Sequence, residues 1–213
     1  MSNKTAPGVG GVFLSAIVAG LCISLGGSAF LAIENKVTGA IAFTIGLFVI
    51  CSYGFHLFTG KVCYVFDNDG RFAALLPVIW VGNVVGTWCV AFLEQQTRVG
   101  AAMTERAAGM VAVKLSDSLL SVFILAIFCN LLIYIAVEGF ARHPHELGKY
   151  LSLFFGVTIF ILCGFEHCVA NMYYISMAKA WSGEALVFLL VNTLGNAVGG
   201  LLLPVLRKGI AKF

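Results

Sequence analysis

The 213-residue sequence predicts an all-α integral membrane protein: six transmembrane helices arranged as two inverted three-helix repeats, with the second and fifth helices broken. Three observations carry this expectation. The chain is 60% hydrophobic and 11% charged with a mean hydropathy of +0.98, outside the range of ordinary water-soluble domains. Its apolar stretches, each near the roughly 20 residues needed to cross a bilayer, occupy nearly the whole length, which leaves one transmembrane domain over residues 1–213 and no soluble one. The two halves of the chain also answer one another in sequence.

Taken in order, the first span is expected at 9–33, where Gly20, Gly26, Gly27 and several serines permit close helix contact. Glu34-Asn35-Lys36 then forms a short connection, which makes spans one and two antiparallel neighbours. The second span begins near Thr38, is apolar to Cys51, and is interrupted over 52–61, where Gly54 and Gly60 bracket a segment able to unwind, before resuming at 62–66. Phe43 and Leu47, four residues apart, share one face of it. A polar turn at 67–71 precedes the third span, 73–93, with Pro77 near its start, where proline is tolerated. Residues 94–114 form the longest polar connection, partly amphipathic, expected along the interface or over a pore mouth. The fourth span, 119–137, carries Asn130 as its one strongly polar interior residue; the fifth runs through 151–177 and the sixth through 185–206.

Within the fifth span stand Glu166 and His167, an ionisable pair at membrane depth in otherwise apolar sequence. Such groups are costly in a low-dielectric slab and generally face a cavity, which marks a functional site; the structural alternative is a pair that satisfies itself inside a packed bundle. Gly164 offers a place for the helix to break, as broken helices do where they line a water-filled path. Gly54-Phe55-His56 answers Gly164-Phe165-Glu166, and Asn83-Val84-Val85-Gly86 answers Asn196-Ala197-Val198-Gly199, an internal repeat over about 9–94 and 115–206. Three spans per copy turn the copies upside down relative to one another and bring both interrupted helices to the midplane.

The net charge of +3 is small and the basic residues sit at span ends, so nucleic acid is excluded as a partner. An arrangement with both termini in the cytoplasm puts Lys4, Arg71, Arg142, Lys149, Arg207, Lys208 and Lys212 inside, against Lys36, Arg98, Arg106, Lys114 and Lys179 outside. Seven cysteines fall mostly within apolar spans and call for no disulfide framework; no removable signal peptide is read before the first span. His143, His145 and Glu146 read as a solvated turn around Pro144, not as a metal site, and no cofactor is called for.

Gly164-Phe165-Glu166-His167 with Val169-Ala170-Asn171-Met172, Leu57-Phe58-Thr59-Gly60, and Asn130 within Cys129-Asn130-Leu131-Leu132 resemble the motifs of the formate/nitrite transporters over nearly the whole chain. The resemblance implies an aquaporin-like fold with one pore per protomer, a homopentamer in the cell (inner) membrane, and small monovalent anions or their weak acids as substrates. By motif position, His167 resembles that family's central pore histidine, Thr59 the threonine of the interrupted second span, and Asn171 and Asn130 supporting polar residues. Phe160, seven residues before His167, resembles a constriction phenylalanine; Phe43, Leu47 and Leu57 resemble its apolar counterparts, and Lys114 the lysine that draws anions into the outer vestibule. Lys4 is the one residue available for the family's inner-vestibule lysine. Lys61 stands where many members carry asparagine, a form nearer to some anaerobe branches that include hydrosulfide channels.

Read as residues alone, Thr59 also fits a half-helix cap, Phe160, Phe43 and Leu47 fit an ordinary core, and Lys114 fits an interfacial snorkelling lysine. Glu166 is expected to accept backbone N–H groups from the opposed broken helix, and Lys61 and Lys179 to sit at span ends. A bare anion entering an apolar constriction faces an idealised Born penalty of order 20 kcal/mol. Passage therefore requires donors such as Thr59 and Asn171, or protonation assisted by His167. The competing readings are an aquaporin-like facilitator of small neutral solutes, whose paired Asn-Pro-Ala motifs this sequence lacks, and a membrane enzyme built on His167, Glu166, His56 and Cys168 around a metal or haem.

Overall fold

The computed structural model describes residues 8–210, and in it the apolar stretches form helices while polar residues cap them. α1 is Val9–Ala32, α2 Lys36–Tyr53 and α3 Phe58–Lys61, which a 3₁₀ segment extends over Val62–Asp67. α4 is Gly70–Glu94, α5 Gly100–Leu115, α6 Leu119–Arg142, α7 Glu146–Leu162, α8 Cys168–Met177 and α9 Gly183–Ile210. The caps are written in the sequence: Asn35, Asp69 and Ser118 each accept the backbone N–H three residues on, from Thr38, Phe72 and Ser121, which satisfies donors that a helix start leaves unpaired.

Among the described residues five helices, α1, α2, α4, α6 and α9, are long and apolar enough to cross a bilayer. Large apolar side chains such as Leu14, Leu120 and Leu194 stand exposed on their outer faces, as lipid-facing helices require. α1 packs chiefly on α4 and α2, α6 on α9 and α7, and α2 faces α7. α8 lies against α4, and the 3₁₀ segment against α9. Two close approaches hold these pairs. A Cβ added at Gly86 would lie 2.1 Å from the Ile17 carbonyl oxygen, and one at Gly199 would lie 2.2 Å from that of Ile127, so only glycine lets α4 meet α1 and α9 meet α6 at this separation.

The bundle has two ends. At one, Lys36 Nζ donates to the Leu162 carbonyl (3.0 Å) and Tyr173 Oη donates to Glu94 (2.6 Å). At the other, Lys208 Nζ reaches the Phe66 carbonyl (2.8 Å) and Arg207 bonds Glu138 (2.6 Å). The helices extend past several expected bounds: α4 begins at Gly70, α6 ends at Arg142 and α9 at Ile210. The connection 94–114 is not simply polar, because α5 occupies most of it and buries Met103, Ala107 and Val111. Lys4 and Lys212 lie outside the described residues.

Both interruptions share one construction. α2 ends at Tyr53, just before Gly54 (φ 75°), and α7 ends at Leu162, two residues before Gly164 (φ 72°); both glycines are left-handed, a region that penalises any side chain. Phe55 N–H then bonds Ile50 O (3.0 Å), and Phe165 N–H bonds Phe160 O (2.9 Å), the five-residue reach-back of a Schellman turn. One buried asparagine secures each restart. Asn83 Oδ1 accepts from Phe58 N–H (2.9 Å), while its Nδ2 donates to Ala16 O (2.7 Å) and His56 O (3.0 Å). Asn196 Oδ1 accepts from Cys168 N–H (2.8 Å), while its Nδ2 donates to Ala126 O and Glu166 O, both at 2.8 Å.

Replacing either amide by an apolar group of similar size strands the first N–H of the restarting helix and removes one hydrogen bond from each of two carbonyls, at a site of 0% exposure. Asn83→Leu and Asn196→Leu are each expected to lower stability by about 3 kcal/mol or more. Thermal unfolding in detergent measures this, and wild-type midpoints in both variants would refute the clamp.

Candidate functional site

The two restarts bring Thr59 and His167 together. Thr59 is the second residue of α3 and His167 the N-cap of α8; Thr59 Oγ1 and His167 Nε2 lie 2.9 Å apart, at 0% and 2% exposure. His167 Nδ1 accepts the Ala170 backbone N–H (3.0 Å), capping α8. A neutral imidazole has one donor and one acceptor nitrogen, so an accepting Nδ1 places the proton on Nε2, which donates to Thr59 Oγ1. The Thr59 hydroxyl proton is then left for another acceptor.

Apolar side chains close in around the pair. The Phe160 ring stacks on the imidazole (centroids 5.5 Å, 16° between planes) and meets Phe43 edge-on (6.1 Å, 86°). Phe43, Leu47 and Leu57 are each 1% exposed and Phe160 is 3% exposed, and all four belong to one buried cluster, an apolar plug. Phe160 reaches His167 although the helical turn does not continue between them. α7 ends at Leu162, and the Gly164 turn folds the chain back so that the two rings stack.

Two cavities flank the plug. One, of about 390 Å³, is lined by Phe43, Lys114, Phe160, Glu166, His167 and Asn171, and reaches exposed Lys36. The other, of about 150 Å³, is lined by Leu47, Cys51, Leu57, Gly60, Lys61 and Tyr64.

In the first cavity the structure corrects the expected contacts of Glu166. Its carboxylate accepts from Lys114 Nζ (2.7 Å) and Asn171 Nδ2 (2.6 Å), not from backbone groups of the opposed half-helix. The backbone break gives Glu166 a backbone role as well, since its carbonyl accepts from Asn192 Nδ2 and Asn196 Nδ2, both at 2.8 Å. Asn171 Nδ2 also bonds Asn192 Oδ1 (2.9 Å), so Lys114, Glu166, Asn171 and Asn192 form one connected network. Lys114, at the end of α5, is thus a paired cation.

Asn130 stands behind Thr59: its Nδ2 donates to the Thr59 carbonyl (3.1 Å), and its Oδ1 is the one buried side-chain oxygen or nitrogen without a partner among the described residues. Lys61 is no span-end lysine. It closes α3 and lines the second cavity, because the chain restarts at the centre of the bundle instead of at its edge. His56 turns away to Ser15, whose Oγ lies 2.7 Å from Nδ1, and the described residues hold no group of three metal-ligating side chains. Asn83, Asn192 and Asn196 escaped the sequence reading as positioning residues. The one-turn spacing of Asn192 and Asn196, which puts two amides on one helix face, is the signal that marks them.

A family model described as formate/nitrite transporter matches residues 1–208. A probable formate transporter of Methanothermobacter thermautotrophicus is 30% identical, the alignment covering 93% of this chain and 87% of that one. The formate channel FocB of Escherichia coli K12 is 27% identical over 84% of this chain and 70% of its own length. A solved pentameric formate channel with formate bound superposes with a TM-score of 0.79 at 23% identity, covering 96% of this chain and 97% of that one.

The Lys114–Glu166 pair is nearly buried, with side chains 16% and 6% exposed. Glu166→Gln is expected to lower stability by about 3 kcal/mol by stranding the ammonium, and adding Lys114→Met to recover most of the loss. Unfolding midpoints of the single and double variants decide it; a single variant as stable as wild type would defeat the pairing argument.

Proposed function

The chain belongs to the formate/nitrite transporter family, and from that premise we propose that each protomer conducts small monovalent anions or their weak acids, formate, nitrite or hydrosulfide, through its own pore. The observation that carries the reading is the Thr59–His167 contact at 2.9 Å inside a buried apolar plug with a cavity on either side. The family is one of transporters and channels, and the chain is a multi-pass membrane protein of that kind, not an enzyme.

We count α2 with α3, and α7 with α8, as one interrupted span each. This gives six spans in one domain over residues 1–213 and two inverted repeats of aquaporin-like plan. The matched contacts of Asn83 and Asn196 support it. The assembly is a homopentamer in the cell (inner) membrane with both termini cytoplasmic, by likeness to the solved pentamer and from the basic residues at the Arg71 end. The Lys114 cavity is then the outer vestibule and the Lys61 cavity the inner one.

In the outer vestibule Lys36 and Lys114 stand against one carboxylate, Glu166, which leaves a net positive wall that concentrates anions. At the plug the anion must exchange its hydration for protein donors, since the idealised cost of stripping it is of order 20 kcal/mol. His167 Nε2–H holds Thr59 Oγ1 as acceptor, so the threonine hydroxyl donates to the anion; α8 starts at this point and directs its positive dipole end there. Proton supply along this His167–Thr59 line lets the permeant cross the apolar plug as its neutral acid. For His167 to supply that proton the ring first takes one on Nδ1 from the aqueous cavity, displacing the Ala170 N–H cap; the Nε2 proton then passes to Thr59 Oγ1 as the Thr59 hydroxyl proton passes to the anion, and the ring is left neutral with its proton on Nδ1. Asn171 and Asn130 support the two partners from either side.

Liposomes carrying the protein are expected to take up formate, nitrite or hydrosulfide faster than empty ones, with uptake rising as external pH falls. His167→Asn keeps a good N-cap but removes the Nε2 donor. It should cut flux by about tenfold, the worth of one hydrogen bond to a charged group, and flatten the pH response. Flux equal to that of empty liposomes, or a His167→Asn variant with wild-type rate and pH profile, would overturn the reading.

A further inference from the structure

The repeat places position 61 in register with position 171, as it places Gly54 with Gly164 and His56 with Glu166. In the second half, the side chains at 166 and 171 form the pair Glu166 and Asn171, 2.6 Å apart, with Lys114 on the same carboxylate oxygen. In the first half the register is filled otherwise. His56 bonds Ser15, and Lys61 is a cation with no carboxylate within ion-pair distance among the described residues. The other lysines and arginines that line cavities at this end are spoken for: Arg142 and Arg207 on Glu138, Lys208 on Asp67. Tyr64, which shares the Lys61 cavity, gives its hydroxyl to Glu138 (3.0 Å).

Lys61 is also fixed in place. Its backbone N–H bonds the Leu57 carbonyl (2.8 Å), so the ammonium-bearing side chain leaves the same helical turn that carries Thr59 and borders the plug at Leu57. A half-buried ammonium beside apolar Leu47 and Leu57 has lost part of its hydration and has no protein anion to compensate. The compensating charge that this site accepts is mobile and small, because about 150 Å³ has to hold it with its water.

We propose that Lys61 is the anion-receiving group of the inner cavity, pairing with a small monovalent anion immediately before the plug. The inference rests on the transport reading for its place in a conduction path, but the binding site itself does not. It makes the two faces unequal: in the outer cavity Lys114 shares its charge with Glu166 and Lys36 stands exposed at the mouth, whereas Lys61 borders the plug and is committed to the permeant ion.

Two measurements test it. Full-length crystals soaked in sodium bromide should show an anomalous peak against Lys61 Nζ in the inner cavity, absent from Lys61→Gln and regained in Lys61→Arg. In liposomes, Lys61→Gln should raise the half-saturating formate concentration by about tenfold at low ionic strength, with the gap closing in high salt and Lys61→Arg close to wild type. No bromide at Lys61, or bromide that persists in Lys61→Gln, overturns the proposal. So does wild-type flux whose half-saturation is unchanged, or changed independently of salt, in Lys61→Gln. Bromide at Lys61 in a wild-type protein that passes no anion supports the binding site and overturns the transport reading instead.

Discussion

A helix interrupted inside an apolar slab survives only if the backbone groups it exposes find partners within the protein, and here one asparagine in each half meets that demand. Asn83 and Asn196 each take the first N–H of a restarting helix and give both amide hydrogens to carbonyls, one on the break itself and one on a neighbouring helix. The site inherits its precision from this. Thr59 lies one residue after the clamped Phe58 N–H, and His167 one residue before the clamped Cys168 N–H. Their contact is therefore set by two amides anchored on α4 and α9, helices pressed against α1 and α6 at Gly86 and Gly199 where no larger residue fits.

The halves are alike in backbone and unlike in chemistry, and the difference matters more than the likeness. In repeat register His167 matches Leu57, and Thr59 matches Val169. Each half thus contributes one polar group to the centre, at a different register, and the apolar counterpart of each helps to close the plug or the core. Two polar groups from each half at that depth would hydrate the centre and let ions leak; none would leave no donor for a dehydrating ion. The single bonded pair, stacked on Phe160 and bordered by Phe43, is the least polarity that still offers a hydrogen bond.

Much of this was legible in the sequence, for identifiable physical reasons. Span lengths follow from hydropathy because a bilayer imposes a fixed thickness, and Gly54 and Gly164 betray the breaks because only glycine takes their left-handed conformation without strain. What escaped was set by tertiary contact. The Lys114–Glu166 pair joins residues 52 positions apart and has no local periodicity to reveal it. Asn83 and Asn196 were visible as a repeated pattern, but their task became apparent only once the carbonyls of Ala16 and Ala126, on other helices, came within reach. A count of seven residues along one continuous helix puts Phe160 beside His167; the helix stops at Leu162, and a reversed turn produces the contact instead. α5 reads in sequence as a polar, partly amphipathic connection, and the buried Met103, Ala107 and Val111, four residues apart, are the apolar face of that pattern, whose partner only the fold supplies.

A carboxylate beside the proposed path for anions needs its own physical account, and the network around Glu166 provides one. Left alone, a charge at 5% exposure would repel anions from the cavity and carry a heavy desolvation cost. Lys114 and Asn171 both donate to one of its oxygens, while Asn192 orients Asn171 and also holds the Glu166 carbonyl. One carboxylate oxygen, Oε2, is therefore engaged twice, and the ion pair with Lys114 presents a neutralised group in place of a bare negative charge. It sits one residue before His167, so the same contacts that neutralise it also fix the chain at the point where the imidazole turns toward Thr59. Glu166 acts as a strut whose charge is cancelled on the spot, and the electrostatic character of the cavity is left to Lys36 and to the dipole end of α8.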